Sequence, residues 1–211
     1  MDIKLRSIFD NVVTGKSGEV AGGVRDAIEA LIEPETILNE GLIAAMKEVG
    51  ARFENCEIYI PEMLMAARAM QSGLAILKPH LVERGVKATG KVVVGTVKGD
   101  LHDIGKNLVV MMLEGAGFEI IDLGTDVPPA KFAEAVRTSG ANFVGMSALL
   151  TTTMLNMRST IKALEDMGVR SQVKVIIGGA PVTEAFAKEI GADGYAPDAS
   201  RAVALLRRLM Q

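Results

Sequence analysis

The chain is poor in the residues that most often carry metal and redox chemistry. It has one cysteine, Cys56, in 211 residues. A disulfide framework, a CxxC redox pair, a thiolate zinc site and an iron–sulfur cluster are therefore excluded within it. It has two histidines, His80 and His102, too few for a multi-histidine metal centre. Tryptophan is absent, and aromatics make up 4% of the chain. Neither sign of charge dominates. The formal net charge is −3, which argues against the basic stripe of a nucleic-acid-binding surface. No apolar run approaches the ~18 residues of a membrane span. The opening Met1-Asp2-Ile3-Lys4-Leu5-Arg6 mixes charges and lacks the apolar core of a signal peptide. These absences lead to the expectation of a cytoplasmic globular protein with no nucleic-acid and no membrane partner.

What the chain does have is apolar mass, 49% of its residues, with twelve methionines. Methionine fills irregular core gaps, and ordinary helical packing accounts for most of these. The pattern changes near residue 88. Before it, apolar residues recur at threes and fours, as in Val24, Ala27, Ile28, Leu31 and Ile32. Helices are expected at about Ile3 to Val13, around Val24 to Ile32, from Pro34 to Val49 with Gly50 at its end, and from Pro61 to Leu77, broken by Pro79. Four helices suggest a small bundle over residues 1–88. Residues 82–90 lose apolar density and read as a linker. Residues 89–211 then alternate. Strands are expected at 92–97, 119–123, 143–147, 173–177 and 194–196, with helices at 106–115, 129–138, 153–167, 183–190 and 200–210. Such alternation implies a parallel sheet covered on both faces. Five strands and five helices fit the α/β flavodoxin-like (Rossmann-like) winding, with its switch point beside the first strand.

The most informative segment leaves that first strand: Gly99-Asp100-Leu101-His102-Asp103-Ile104-Gly105. An imidazole at the C-terminal end of a strand lies where open α/β sheets bind ligands. An aspartate two residues earlier can orient the ring, and flanking glycines allow close approach to the backbone. Three more segments follow strands of the same sheet: Ser147 to Thr153, Gly178-Gly179-Ala180-Pro181, and Tyr195 to Ala199. Each alone has a plain reading. His102 could be a surface residue, Asp100 and Asp103 could cap a helix, the hydroxyls could open a helix, and Gly178-Gly179 could be a turn. The glycines of 99–105 match neither GxGxxG nor the P-loop pattern.

Taken together, Asp100-x-His102-x-x-Gly105, Ser147-x-Leu149, Gly178-Gly179 and Asp198-Ala199-Ser200-Arg201 closely resemble the signature of cobalamin-binding domains that hold the cofactor with its own base displaced. Residues 91–199 carry this likeness. Residues 1–88, through Ile60-Pro61, Ala66 to Met70 and Leu77-Lys78-Pro79, resemble the helical cap preceding that domain in cobalamin-dependent methionine synthase and in small corrinoid methyl carriers.

The resemblance implies a role for each matching residue. His102 would be the lower axial ligand to cobalt, bound through a neutral imidazole. Asp100 would accept its other ring N–H, and Thr153, standing where cobalamin-dependent methionine synthase has a serine, would hydrogen-bond Asp100. Gly99, Leu101, Asp103, Ile104 and Gly105 would complete the loop. Ser147 and Thr151 would contact the displaced nucleotide tail, and Leu149 would belong to the same cofactor-binding set. Gly178 and Gly179 would leave room for it, with Tyr195 and Ala199 at the far end. Tyr59 and Met63 of the cap would help roof the upper face. The resemblance further implies a methyl carrier cycling between Co(I) and methyl-Co(III), a subunit rather than a complete enzyme. A substrate:corrinoid methyltransferase would load it. A corrinoid:tetrahydrofolate or corrinoid:coenzyme M methyltransferase would unload it, and a reductive activator would rescue it after oxidation. Two alternatives share the loop. The small subunit of an adenosylcobalamin mutase lacks such a cap, and a light-sensing cobalamin regulator needs a DNA-binding module and usually a cap tryptophan.

Overall fold

A computed structural model describes residues 2–85 and 88–210. The chain divides into two compact units, Met1–Ala88 with Glu114–Gly117, and Thr89–Leu113 with Phe118–Gln211. Val86 and Lys87 of the expected linker lie outside the described residues. Among the described residues no helix is long and apolar enough to cross a membrane.

The first unit is helical: α1 (Ile3–Val13), α2 (Ser17–Glu29), α3 (Pro34–Thr36), a π-helical stretch (Ile37–Ile43), α4 (Ala44–Glu54) and α5 (Ile60–Glu83). Its core takes Leu5, Ile8 and Val12 from α1, Val20, Val24 and Ala27 from α2, and Met63, Ala66, Met70 and Leu77 from α5. These are the threes and fours that the sequence displays. Several expected boundaries move: α2 ends at Glu29, so Leu31 and Ile32 lie beyond it, and Val82 and Glu83 of the expected linker belong to α5. Gly50 does not end its helix; it is buried inside α4, which continues to Glu54, because tertiary packing outweighs the weak helix propensity of one glycine. Pro79 does not break α5, which runs on to Glu83. A proline forfeits one N–H bond to the preceding turn, and the buried Leu77 and Leu81 on either side hold the last turns in place.

The second unit is the expected α/β fold. Its sheet comprises β1 (Lys91–Thr96), β2 (Glu119–Asp122), β3 (Phe143–Ser147), β4 (Lys174–Gly178) and β5 (Gly194–Tyr195), all parallel, in the order β2-β1-β3-β4-β5. The helices are α6 (Ile104–Gly115), α7 (Pro129–Ser139), α8 (Thr151–Asp166), α9 (Glu184–Ile190) and α10 (Ala199–Leu209). Alternate strand residues point to opposite faces. On one face Val93, Val144, Met146, Val175 and Ile177 form a core with Phe132, Val136, Met157, Ile161 and Phe186. On the other, Val92, Val94, Phe143 and Ile176 are also buried, as a doubly covered parallel sheet requires. There the Phe118 and Phe143 rings meet edge to face at 6.0 Å.

One small residue in β1 sets how closely α7 approaches. A Cβ added at Gly95 would lie 2.8 Å from Cζ of the fully buried Phe132. Gly95→Ala should therefore destabilise the protein by about 1–3 kcal/mol, and Phe132→Leu should recover part of that loss. Urea denaturation of the two single variants and the double variant checks this; a Gly95→Ala variant as stable as wild type would show that the ring is not held against the strand.

Candidate functional site

The parallel register brings the functional loops to one end of the sheet. Thr96 of β1 pairs with Ser147 of β3, Ser147 pairs with Gly178 of β4, and Ile177 pairs with Tyr195 of β5. The segments that follow these positions all leave the same C-terminal edge. From β1 the sheet grows to β2 on one side and to β3, β4 and β5 on the other, so the loop after β1 sits at the switch point of the sheet.

Asp100 is the centre of the loop cluster. Its side chain is completely buried and accepts four hydrogen bonds. Oδ1 takes the His102 backbone N–H at 3.0 Å and the His102 ring Nδ1 at 2.7 Å. Oδ2 takes the Leu149 backbone N–H at 2.8 Å and the Thr153 hydroxyl at 2.6 Å. Thr153 Oγ1 also lies 3.0 Å from the Leu150 carbonyl; its single proton goes to the nearer and charged acceptor. Burial pushes the Asp100 carboxyl upward. The Thr153 hydroxyl, the Leu149 and His102 N–H groups and the His102 ring outweigh it and hold the group far below the ordinary carboxylate range.

An ionised carboxylate can only accept, so His102 Nδ1 carries a proton. In the neutral ring the lone pair is then on Nε2. His102 is 52% exposed at its side chain. Nε2 has no hydrogen-bond partner among the described residues, so its lone pair is uncommitted on a ring whose other nitrogen is tethered.

Leu101 and Ile104, beside His102, are 74% and 82% exposed, unusual for large apolar side chains at adjoining positions. Leu149 is exposed as a side chain and serves Asp100 through its backbone. Asp103 caps locally, accepting from Asn107 Nδ2 at 3.0 Å. Ile104 and Gly105 open α6, and Thr151 opens α8, so each helix starts two residues before its expected first residue. Ser147 is half-buried at the end of β3, Thr151 exposed, Tyr195 half-buried and Ala199 buried. Gly179 has φ +126, and a Cβ there would stand 1.8 Å from the Ala148 carbonyl oxygen. At Gly178 it would stand 2.8 Å from the Ala196 oxygen. The chain's own backbone thus already demands glycine at both positions. In the helical unit Tyr59 is exposed and receives a cap from Glu62 Oε2 to its N–H at 3.1 Å, while Met63 is fully buried and leaves no surface to solvent.

Three residues that hold the loop carry no signal legible in the sequence. The buried Thr96 hydroxyl donates to the His102 carbonyl at 2.9 Å. Asn156 Nδ2 donates to the Lys98 carbonyl at 2.9 Å. Asp126 accepts the Gly99 N–H at 2.7 Å. A threonine ending a strand and an asparagine in a helix look ordinary until the fold sets them beside the loop.

The donor set can be tested against a ligand. Among the described residues there is no cluster of three or more His, Cys, Asp or Glu able to hold a metal ion. One imidazole supplies one ligand, so a metal bound there must bring its remaining ligands with it. A planar metallomacrocycle does so, and the exposed Leu101 and Ile104 offer it apolar contact. At Gly105 nothing lies within 4 Å of an added Cβ, so the fold itself does not require glycine there. The residues present fit such a group.

A flavodoxin-like sheet that presents one tethered imidazole at its switch point defines a cofactor-binding α/β protein. Residues 90–204 match the B12 binding domain, and residues 5–78 match a second family with the same description, B12 binding domain. The chain belongs to this B12-binding family and is a corrinoid-binding protein. It is 44% identical to dimethylamine corrinoid protein 3 of Methanosarcina acetivorans, over 98% of this chain and 96% of that one. Its structure is similar to that of a cobalamin-binding protein from Desulfitobacterium hafniense DCB-2, with a TM-score of 0.81 and 32% identity over 99% of this chain and 98% of that one. It is also similar to a chain of the methanol:cobalamin methyltransferase complex MtaBC from Methanosarcina barkeri, with a TM-score of 0.84 and 28% identity, covering 99% of this chain and 80% of that one.

The Asp100 cluster has a pH signature. Its folded carboxyl titrates below the ordinary value of 3.8, so its contribution to stability is fully present above pH 3.8 and is lost as the pH falls toward the folded value. Asp100→Asn should cost roughly 2–3 kcal/mol at pH 7 by leaving buried donors unpaired, and that cost should shrink as the pH falls from about 4 toward 2. Denaturant melts of both proteins across this range provide the measurement; a cost independent of pH would mean that the charge contributes nothing.

Proposed function

We propose that this protein is a methyl carrier in a corrinoid methyltransferase system, with His102 Nε2 as the lower ligand to cobalt. The observation that carries the proposal is the geometry of the ring: it is half exposed, Nδ1 is tethered to a buried, ionised Asp100, and Nε2 has no partner among the described residues. When bound, the corrinoid supplies a cobalt that takes up a methyl group and gives it away. The protein's own residues hold the ligand and manage the proton. Asp100 fixes the tautomer that leaves the Nε2 lone pair for the metal. Asp100, kept ionised by its four donors, would hold the Nδ1 proton and the direction of the ring while His102 held the corrinoid. Thr153 and the Leu149 N–H would keep the carboxylate charged. Leu101, Ile104 and Gly105 would lie against the macrocycle. Ser147, Thr151, Gly178, Gly179, Tyr195 and Ala199 would line the path of the displaced nucleotide, and Tyr59 and Met63 would belong to the cap.

The donor is bound by a partner, a substrate:corrinoid methyltransferase. A second methyltransferase would take the methyl group to tetrahydrofolate or coenzyme M, and a reductive activator would restore the carrier after accidental oxidation. The likeness to a dimethylamine corrinoid protein makes methylated amines the first donors to assay. The exposed, unpaired Cys56 fits a reducing compartment, and we place the carrier in the cytoplasm.

His102→Gly should leave the fold and most corrinoid affinity intact, because the macrocycle and tail would make most of the contacts. It should convert the visible spectrum of protein reconstituted with methylcobalamin from a nitrogen-ligated to a water-ligated form. An unchanged spectrum would remove His102 from the lower-ligand position. Methyl loss to tetrahydrofolate or coenzyme M in the presence of partner methyltransferases tests carriage itself, and preferential retention of adenosylcobalamin over methylcobalamin would count against it.

A further inference from the structure

Two flanking connections hold the His102 loop, and they do different work. On the β3 side, Leu149 and Thr153 grip the Asp100 carboxylate, and Asn156 grips the Lys98 carbonyl. On the β2 side, the connection to α7 runs alongside the end of β1. The Thr96 N–H donates to the Gly124 carbonyl at 2.9 Å and the Val127 N–H to the Thr96 carbonyl at 3.0 Å. Between them stands Asp126. Both of its polar contacts go to the loop. Its carboxylate Oδ1 accepts the Gly99 N–H at 2.7 Å, and its own N–H donates to the Asp100 carbonyl at 2.9 Å.

These two bonds bracket the peptide units on either side of Gly99 and Asp100, where the chain turns through a left-handed Gly99 at φ +81. The Asp100 N–H closes the same turn on the Val97 carbonyl at 3.1 Å. Asp126 is itself left-handed, at φ +52, a conformation that side-chain-bearing residues adopt at a cost, least for Asn and Asp. Glycine would relieve that strain but has no carboxylate. The position therefore combines a left-handed backbone, which aims the N–H, with a side-chain acceptor.

A carboxylate gripped only at its oxygens can still shift by rotating its side chain as the backbone moves. Leu149 and Thr153 fix where the Asp100 oxygens are; Asp126 fixes where its backbone is. The His102 ring, tied to Asp100 Oδ1, takes its position from both. We propose that Asp126 is a positioning residue for His102, holding the Gly99–Asp100 backbone so that the ring is presented at one height above the sheet edge. This inference rests on the reading of His102 as the lower ligand.

The test compares wild type with Asp126→Gly, which keeps the left-handed backbone and loses the acceptor, and Asp126→Asn, which keeps both. The first readout needs no cofactor: amide hydrogen exchange at Gly99 and His102 in the free protein. We expect exchange at both to quicken at least ~10-fold in Asp126→Gly, as loss of a hydrogen bond to a charged group implies, and to stay within about threefold of wild type in Asp126→Asn. The second readout is the nitrogen splitting in the electron paramagnetic resonance spectrum of protein loaded with cob(II)alamin, which counts the histidine-ligated fraction. The ratio of histidine-ligated to water-ligated protein should fall ~10-fold in Asp126→Gly and recover in Asp126→Asn. Unchanged exchange and ligation in Asp126→Gly would overturn the proposal, as would an Asp126→Asn variant as impaired as the glycine variant. Should the glycine variant fail to fold, the wild type still decides: Gly99 is an exposed residue, and an unprotected Gly99 amide there overturns the clamp. Absence of nitrogen splitting in wild type would overturn the lower-ligand reading instead, and the amide rates would still show whether Asp126 holds the loop.

Discussion

A buried aspartate needs donors, and the site is organised around supplying them to Asp100. Removed from water, its carboxylate would favour the neutral form. Four hydrogen bonds reverse that preference, two from its own loop and two from the connection after β3. The consequence is structural as well as electrostatic. Asp100 ties the β1 loop to the first turn of α8, and the charge it keeps decides which nitrogen of His102 carries a proton. Replacing the network by apolar groups would leave the sheet edge intact, but the ring would lose both its tautomer and its direction.

The sheet makes this network possible. Parallel strands in register end together, so connections distant in sequence begin side by side. Leu149 and Thr153 reach Asp100 because β3 lies beside β1, and Asp126 reaches Gly99 because β2 lies on its other side. The reversal of strand order at β1 leaves the loop open above the edge. Further along the same edge, the backbone of Gly178 and Gly179 comes so near Ala196 and Ala148 that no side chain fits. Those glycines serve the protein's own packing whatever else lies over them.

Much of the fold was legible in the chain. The change from a period of three and four to strand–helix alternation marked where helices give way to the sheet, and the number of strands pointed to the observed winding. The errors came where a local signal met a tertiary one. Gly50 and Pro79 are ordinary stop signals, yet both lie within helices whose buried faces continue past them. The hydrogen bonds of the candidate site were legible where chemistry and spacing coincide, among Asp100, His102 and Thr153. They were not legible at Thr96, Asp126 and Asn156, whose residue types are common at strand ends, turns and helix surfaces.

The sequence by itself determined the inventory. One cysteine and two histidines leave room for neither a thiolate cluster nor a multi-histidine centre, and a histidine two residues after an aspartate, at the end of an apolar strand, singles out one candidate nitrogen. Only the tertiary structure decided how that nitrogen is held. Burial of Asp100, the donors that keep it charged and the left-handed Asp126 beneath the loop all depend on which strands are neighbours. That adjacency is a property of the folded sheet, because hydrogen bonds between residues fifty positions apart leave no local pattern for the chain to display.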